Sequence, residues 1–347
     1  MVEEWHIFRG GFMKQTEKGV TRRDLLKCVA AATWVLPALA QERGAQRGQA
    51  APQSGTQLVL LGTQGGPGIT ANRTQASNAV IVDGRPYLVD CGYGALKAAV
   101  QAGLTLGGIS NIFITHLHDD HTADIAAFLA LKWTGTQNPG AATIHGPYGT
   151  AAMVEAGIAF SKANVEIRKI DEGRTVDPRT VFRGRDLTAP KVTEVFKDDR
   201  VMIQAVENAH FPDRAKAKMD YRSFAYRFNT PTRSIVFSGD TTYSENLIEL
   251  ARGVDVFVCE VLGNANAQNA RGAAPINNNA ESIARHVRET HSTPEEVGKM
   301  AAEAKVKTLV LSHQVGGGRG ANNDALTADI KKIFSGEVIV GADQMRL

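Results

Sequence analysis

The run His116-Leu117-His118-Asp119-Asp120-His121 puts four side chains able to bind a metal within six residues. Neutral imidazole and carboxylate suit zinc and similar divalent ions. In an extended or turning backbone, alternate residues face one way. His116 and His118 can then grip one ion while Asp120 and His121 turn to a second. Such a run rarely arises by chance, so it reads as a metal site rather than an exposed polar loop.

The elements that must position these groups are short and alternate in type. Apolar β-runs cover Gln57–Leu61, Asn78–Val82 and Tyr87–Cys91, with Asp83-Gly84-Arg85-Pro86 as a hairpin turn between the last two. A helix is expected over 94–103, a buried strand over Asn111–Thr115 and a helix over Ile125–Lys132. Ala142–His145 reads as a strand, followed by a helix near 148–160. Further strands are expected at Val201–Val206, Ser223–Phe228, Ser234–Phe237, Val254–Val258 and Thr308–Leu311, and helices at 281–289 and 294–304. This alternation, with 34 glycines for tight turns, indicates α/β architecture or a layered αβ/βα sandwich. The chain reads as two similar halves. His116, His210, Asp240 and His313 each stand one to four residues past an apolar strand. Ligands at strand ends on one edge of a sheet can converge despite long sequence gaps.

At this point the sequence resembles the metallo-β-lactamase superfamily, over residues 57–347. The residues that carry the resemblance are the His116–His121 run, Leu61-Gly62-Thr63, His210 after Asn208-Ala209, Ser238-Gly239-Asp240-Thr241 and Leu311-Ser312-His313, in that order. His291-Ser292-Thr293 is similar to the histidine motif of its ribonuclease Z, arylsulfatase-like and phosphodiesterase-like members. The resemblance implies a four-layered αβ/βα sandwich and two divalent metal ions, zinc first, with manganese or iron admissible on the same donors. It implies that His116, His118 and His210 hold the first ion, that Asp120, His121 and His313 hold the second, and that Asp240 bridges them. The nucleophile would be a metal-bridging hydroxide, which Asp120 could also orient. His291 falls outside that ligand set and suits a general acid or a stabiliser of a developing oxyanion. Glu260 is the candidate to orient it. Asp119 is expected to point away. Asp240 taken alone reads as a turn or helix cap; its place between His210 and His313 makes it a ligand. His145 and His286 read as structural, and Arg319 as part of a solvated glycine loop. Asn72, Arg73 and Asn78 lie on an early segment that could reach the site.

Thr21-Arg22-Arg23-Asp24-Leu25-Leu26-Lys27, the apolar run from Cys28 to Ala40 and the small residues before Gln41 read as a twin-arginine signal peptide over 1–40. Either Met1 or Met13 can serve as its start. Residues 41–56 read as a flexible linker. The expected location is periplasmic or secreted, with the twin-arginine export machinery as a partner and no membrane span in the mature chain. Residues 1–40 hold six Lys/Arg and four Asp/Glu, so removing them lowers the formal charge from +3 to +1. That near-neutral balance gives no electrostatic footprint for nucleic acid. Cys91 and Cys259 fall in apolar strands and read as buried thiols rather than a disulfide.

The expected function is an exported hydrolase of phosphodiester or sulfate-ester bonds. Two features favour it: Asp240 is a hard oxygen donor at the bridge, and His291-Ser292-Thr293 is present. A β-lactamase or lactonase on the same site is the alternative, and a non-enzymatic metal-binding protein a remote one. The partners would be a small-molecule ester, phosphodiester or lactam, and a homodimer is compatible with the sequence.

Overall fold

The computed structural model describes residues 54–263, 286–315 and 323–347. The expected signal peptide and most of the linker lie outside them, as does Arg319. Two seven-stranded sheets form the centre. The first runs in the order β14-β1-β2-β3-β4-β5-β6 and the second β13-β12-β11-β10-β9-β8-β7. In the first, β1 is Thr56–Gly62, β2 Ser77–Val82, β3 Arg85–Val89, β4 Asn111–Phe113, β5 Ala142–Gly146, β6 Phe182–Asp186 and β14 Met345–Arg346. In the second, β7 is Thr193–Lys197, β8 Met202–Glu207, β9 Phe224–Asn229, β10 Ser234–Phe237, β11 Val256–Leu262, β12 Thr308–Val315 and β13 Glu337–Val340.

The layering follows from strand alternation. Successive side chains of β1 face opposite ways. Leu58 and Leu60 join a core with Tyr87, Phe113, Ile203, Tyr226, Phe228 and Phe237, drawn from both sheets. Val59 and Leu61 join Ala95, Phe128, Leu129, Trp133 and Val154, on helices outside the first sheet. Outside the second sheet, Val236, Phe257, Leu309 and Leu311 pack against Leu247, Val297, Met300 and Ile330. The result is helix, sheet, sheet, helix. It is the four-layered αβ/βα sandwich expected from the sequence.

Several boundaries differ from expectation. The hairpin between β2 and β3 is a two-residue turn, since Val82 pairs with Arg85. Asp83 and Gly84 both have positive φ, 46° and 82°, which matches the right-handed twist of the flanking strands. β3 therefore starts at Arg85 and ends at Val89, so Asp90 and Cys91 stand beyond it. Cys91 and Cys259 are both buried and free. Of the helix expected at 281–289, only 286–290 is described, and it is helical. The helix expected from 294 is Pro294–Glu303, opened by a capping box between Thr293 and Glu296.

His145 is buried in β5, stacked on Phe113 with 4.7 Å between ring centroids. Its Nε2 meets Asn111 Oδ1 at 3.0 Å, and its Nδ1 has no partner. Burial, helped by Arg185, pushes its pKa down to about 4. The unfolded chain takes up that proton near pH 6.5. This contribution is therefore intact above pH 6.5 and is lost as pH falls towards 4. Between pH 7 and 5 the protein should lose about 2 kcal/mol more stability than His145→Gln. Urea unfolding of both proteins at the two pH values checks this. Equal losses would mean that His145 takes up its proton as freely in the folded chain as in the unfolded one.

Candidate metal centre

The histidine run begins three residues beyond the end of β4. His116 to His118 is extended, with His118 at φ −68° and ψ 154°, and Asp119–Thr122 then forms a single helical turn. The extended part sets His116 and His118 together: His116 Nε2 lies 2.9 Å from His118 Nδ1. His210, three residues beyond β8, brings its Nε2 to 3.3 Å from the same His118 nitrogen. The helical turn sends Asp120 and His121 to the other side. There His121 Nε2 lies 3.2 Å from His313 Nε2, and His313 Nε2 lies 3.0 Å from Asp120 Oδ2. Asp119 is exposed.

Asp240 stands between the two groups. Its Oδ2 is 3.8 Å from His116 Nε2, and its Oδ1 is 3.3 Å from His121 Nε2. The three histidines 116, 118 and 210 form one set of converging donors. Asp120, His121, Asp240 and His313 form a second, with all its donor atoms within 4.8 Å of one another.

These spacings fit a metal. Donors about 2.0–2.1 Å from a tetrahedral zinc lie about 3.3 Å apart. The nitrogen pairs above fall at 2.9, 3.3 and 3.2 Å. Asp240 Oδ1 and His313 Nδ1 are buried without a hydrogen-bond partner, although only 3.2 Å separates them. Buried polar atoms are costly to leave unpaired. Both atoms lie within the second group of donors, so His313 has a ring nitrogen on each side of it, one of which would take the ion.

Charge divides the two groups. Burial, with repulsion from neighbouring imidazoles, holds His116 well below the usual histidine range. Burial also lowers His118, and it pushes His210 down to about 3. These rings are kept neutral, the form that binds a cation. In the second group, burial opposes protonation of His121, but Asp240, Asp120 and Asp90 outweigh it and hold its pKa well above normal. His313 is pushed up to about 10 against burial, by Asp240, Asp120 and Glu260. Burial likewise disfavours the ionised form of Asp240, yet His313, His121 and His116 keep it well below the usual carboxylate range. The acids of the second group thus draw positive charge to it, which a metal ion there would supply in place of the two imidazole protons.

The surrounding residues fix the donors. His210 Nδ1 meets the Thr290 carbonyl at 3.0 Å. Gly66 N–H donates to Asp120 Oδ2 at 2.7 Å. A Cβ at Gly66 would lie 2.2 Å from Asp120 Cγ, so only glycine lets this backbone approach so closely. Asp90 was not singled out from the sequence. It follows β3 as Asp240 follows β10. Its Oδ2 meets His121 Nδ1 at 2.9 Å, and its Oδ1 accepts from Thr115 N at 2.7 Å. It therefore sets which His121 nitrogen faces the centre. Its signal was the same acid-after-strand pattern, hidden because the strand was read two residues too long.

Two strand-end assignments need correction. β12 continues to Val315, so His313 lies inside it. Glu260 pairs with Ser312 and Val261 with Gln314, which leaves His313 as the extra residue of a bulge, at φ 39°. A bulge re-aims a side chain that the regular pleat would point elsewhere. Glu260 likewise lies within β11, not at its end. Its Oε2 is 2.8 Å from His291 Nδ1, and its Oε1 accepts from Thr241 N. Together with Asp240 and His313, the two make a third cluster of donors at the edge of the second group. Burial opposes protonation of His291, but Glu260 and Asp240 raise its pKa. His286, expected to be structural, is exposed, and its ring stands 6.3 Å from His118 and 5.9 Å from His291. Arg73 donates to Thr63 and so ties down the early loop, Asn72 is exposed, and Asn78 sits within β2.

The family model described as a β-lactamase superfamily domain matches residues 85–314, about two thirds of the chain. The chain belongs to the metallo-β-lactamase superfamily. Within it the chain falls in the ribonuclease Z branch. A ribonuclease Z of Mycobacterium sp. (strain KMS) is 31% identical over 268 residues, covering 74% of this chain and 83% of that protein. A ribonuclease Z of Mycobacterium avium (strain 104) is 29% identical over 301 residues, covering 84% of this chain and 97% of that one. Among solved structures, a metallo-β-lactamase fold protein from Bacillus subtilis superposes with a TM-score of 0.60 at 19% identity, over 84% of this chain and 98% of its own. Human tRNase Z, short form, superposes at 0.56 with 20% identity, over 84% and 98%. This superfamily member is a metal-dependent hydrolase. Its His/Asp clusters occupy the positions described above, and none of the helices among the described residues is long and apolar enough to cross a membrane.

Proposed function

We propose that this hydrolase cleaves phosphodiester or sulfate-ester bonds with two divalent metal ions, zinc first by the chemistry of the donors. The observation that carries the reading is Asp240, whose two oxygens face two separate groups of donors, with the His291–Glu260 pair beside it. His116, His118 and His210 would hold one ion, Asp120, His121 and His313 the other, and Asp240 would be shared. When bound, two such cations supply hydroxide at neutral pH and offset negative charge on the attacked centre.

The chain's own groups do the rest. The Gly66 N–H fixes the Asp120 carboxylate. Asp90 and the Thr290 carbonyl fix the His121 and His210 rings. Glu260 occupies His291 Nδ1 and leaves Nε2 to hand a proton to a departing oxygen. The names of the ribonuclease Z relatives support a phosphorus centre. The low charge of the chain without residues 1–40 favours small diesters over long RNA.

The test is a panel on metal-loaded protein: a nitrophenyl phosphodiester, a nitrophenyl sulfate, a lactone and a chromogenic cephalosporin. The phosphodiester or the sulfate should be turned over fastest. Faster cleavage of the cephalosporin or lactone would replace this reading with that of a lactam or lactone hydrolase.

The proposal extends to export, on the paired arginines ahead of an apolar run and a small-residue cleavage site. The double variant Arg22→Lys, Arg23→Lys should leave precursor in the cytoplasm. Fractionation and immunoblotting read the outcome, and normal export of that variant would remove the twin-arginine assignment.

A further inference from the structure

Tyr148 and Tyr221 are large aromatic side chains that stay 56% and 46% exposed. They are far apart in sequence, yet their ring centroids are 6.0 Å apart at a tilt of 42°. They meet at Gly149, next to Leu117 of the histidine run. A Cβ placed at Gly149 would meet Leu117 Cδ1 at 2.9 Å and Tyr221 Cε1 at 3.0 Å. Leu117 is the residue between His116 and His118, so Tyr221 and a side chain of the histidine run flank the same small space at Gly149. Phe211 sets its ring 5.7 Å from His118 and 4.8 Å from His210. A side chain at Gly149, where φ is 100°, would press on both Leu117 and Tyr221.

Burial in a core does not explain this pair, and each ring leaves part of its surface in solvent. We propose that Tyr148 and Tyr221 form a subsite for a planar aromatic group carried by the substrate next to its scissile phosphodiester. The inference rests on the phosphodiester reading and deepens it. Aromatic faces bind flat π-systems with little dependence on their identity. Charge limits the size of that substrate. Three of the four basic residues on 211–222 are already committed to carboxylates. Arg214 pairs with Glu289, Lys216 with Glu207 and Asp213, and Arg222 with Glu207. Cations neutralised in this way leave little to track a polyanionic backbone. A single aryl or base group on a small diester suits the site better than a long strand.

The test uses the metal-loaded full chain and measures binding by calorimetry, so that it does not depend on turnover. The probes are phenyl, cyclohexyl and methyl phosphate. Phenyl phosphate should bind on the order of 10-fold more tightly than either of the others, the scale of one aromatic stacking contact. The ratio of phenyl to methyl affinity should collapse in Tyr148→Ala with Tyr221→Ala, and should survive when both are changed to Phe. Metal content is measured in every variant to confirm an intact centre. Equal affinities in the wild type, or a ratio that persists in the double alanine variant, would overturn the subsite alone. No binding of any of the three phosphates would overturn the phosphodiester reading together with it.

Discussion

Asp240→Ala is expected to lower turnover of a nitrophenyl phosphodiester by at least about 10³-fold and to remove at least one of two metal ions per chain. Loss of an outer partner of a ligand already costs about 10–100-fold. Asp240 is placed more centrally than any outer partner. One of its oxygens lies 3.8 Å from His116 Nε2, and the other lies 3.3 Å from His121 and 3.2 Å from His313. It is also the buried anion that counters those imidazoles. Without it, the two groups of donors lose their common member and the second loses a negative charge. Elemental analysis and turnover, measured on the same preparation, check both halves of the expectation. Two retained ions with wild-type turnover would show that Asp240 is a structural residue.

His291→Ala is expected to act selectively. A proton donor matters most for a poor leaving group: a nitrophenolate departs without help, and an alkoxide does not. The variant should keep its metals and lose only modest activity on nitrophenyl esters. On an alkyl ester it should lose about 10²–10⁴-fold, the range for a positioned acid–base group. Glu260 holds the ring at 2.8 Å. Asp120→Asn serves as the contrast, since it weakens a carboxylate at the centre itself and should slow both substrates alike. The readout is the ratio of the two rates in each variant, with metal content alongside. Loss of metal in His291→Ala would make the residue a ligand. An equal fall on both substrates would place its effect on the charge of the transition state instead of on the leaving group.

Much of the site could be read from the sequence because the ligands cluster or follow apolar strands. The His116–His121 run encodes its own geometry, an extended part followed by a helical turn. The central strands were legible for the same reason: strands buried on both faces are nearly continuous apolar runs. Four strands were missed: β6, β7, β13 and β14. These are the four edges of the two sheets. Edge strands are short and charged, which protects them from pairing with other chains and removes the apolar signal. Phe182-Arg183-Gly184-Arg185-Asp186 is an instance, with one buried residue in five. The bulge at His313 was also hidden, because it depends on how β12 registers against β11 and not on any local run. Asp90 was hidden by a two-residue error in the end of β3. Tyr148 and Tyr221 could not be paired from the sequence, since only the folded chain brings residues 148 and 221 together.

The proposed centre, two ions held by His116, His118, Asp120, His121, His210, Asp240 and His313, can be tested by titrating metal-free protein with zinc while following turnover of a nitrophenyl phosphodiester. Turnover should be negligible without metal and should rise to a plateau at two equivalents per chain. Full turnover in the metal-free protein, or a plateau at one equivalent that Asp240→Ala leaves unchanged, would contradict it.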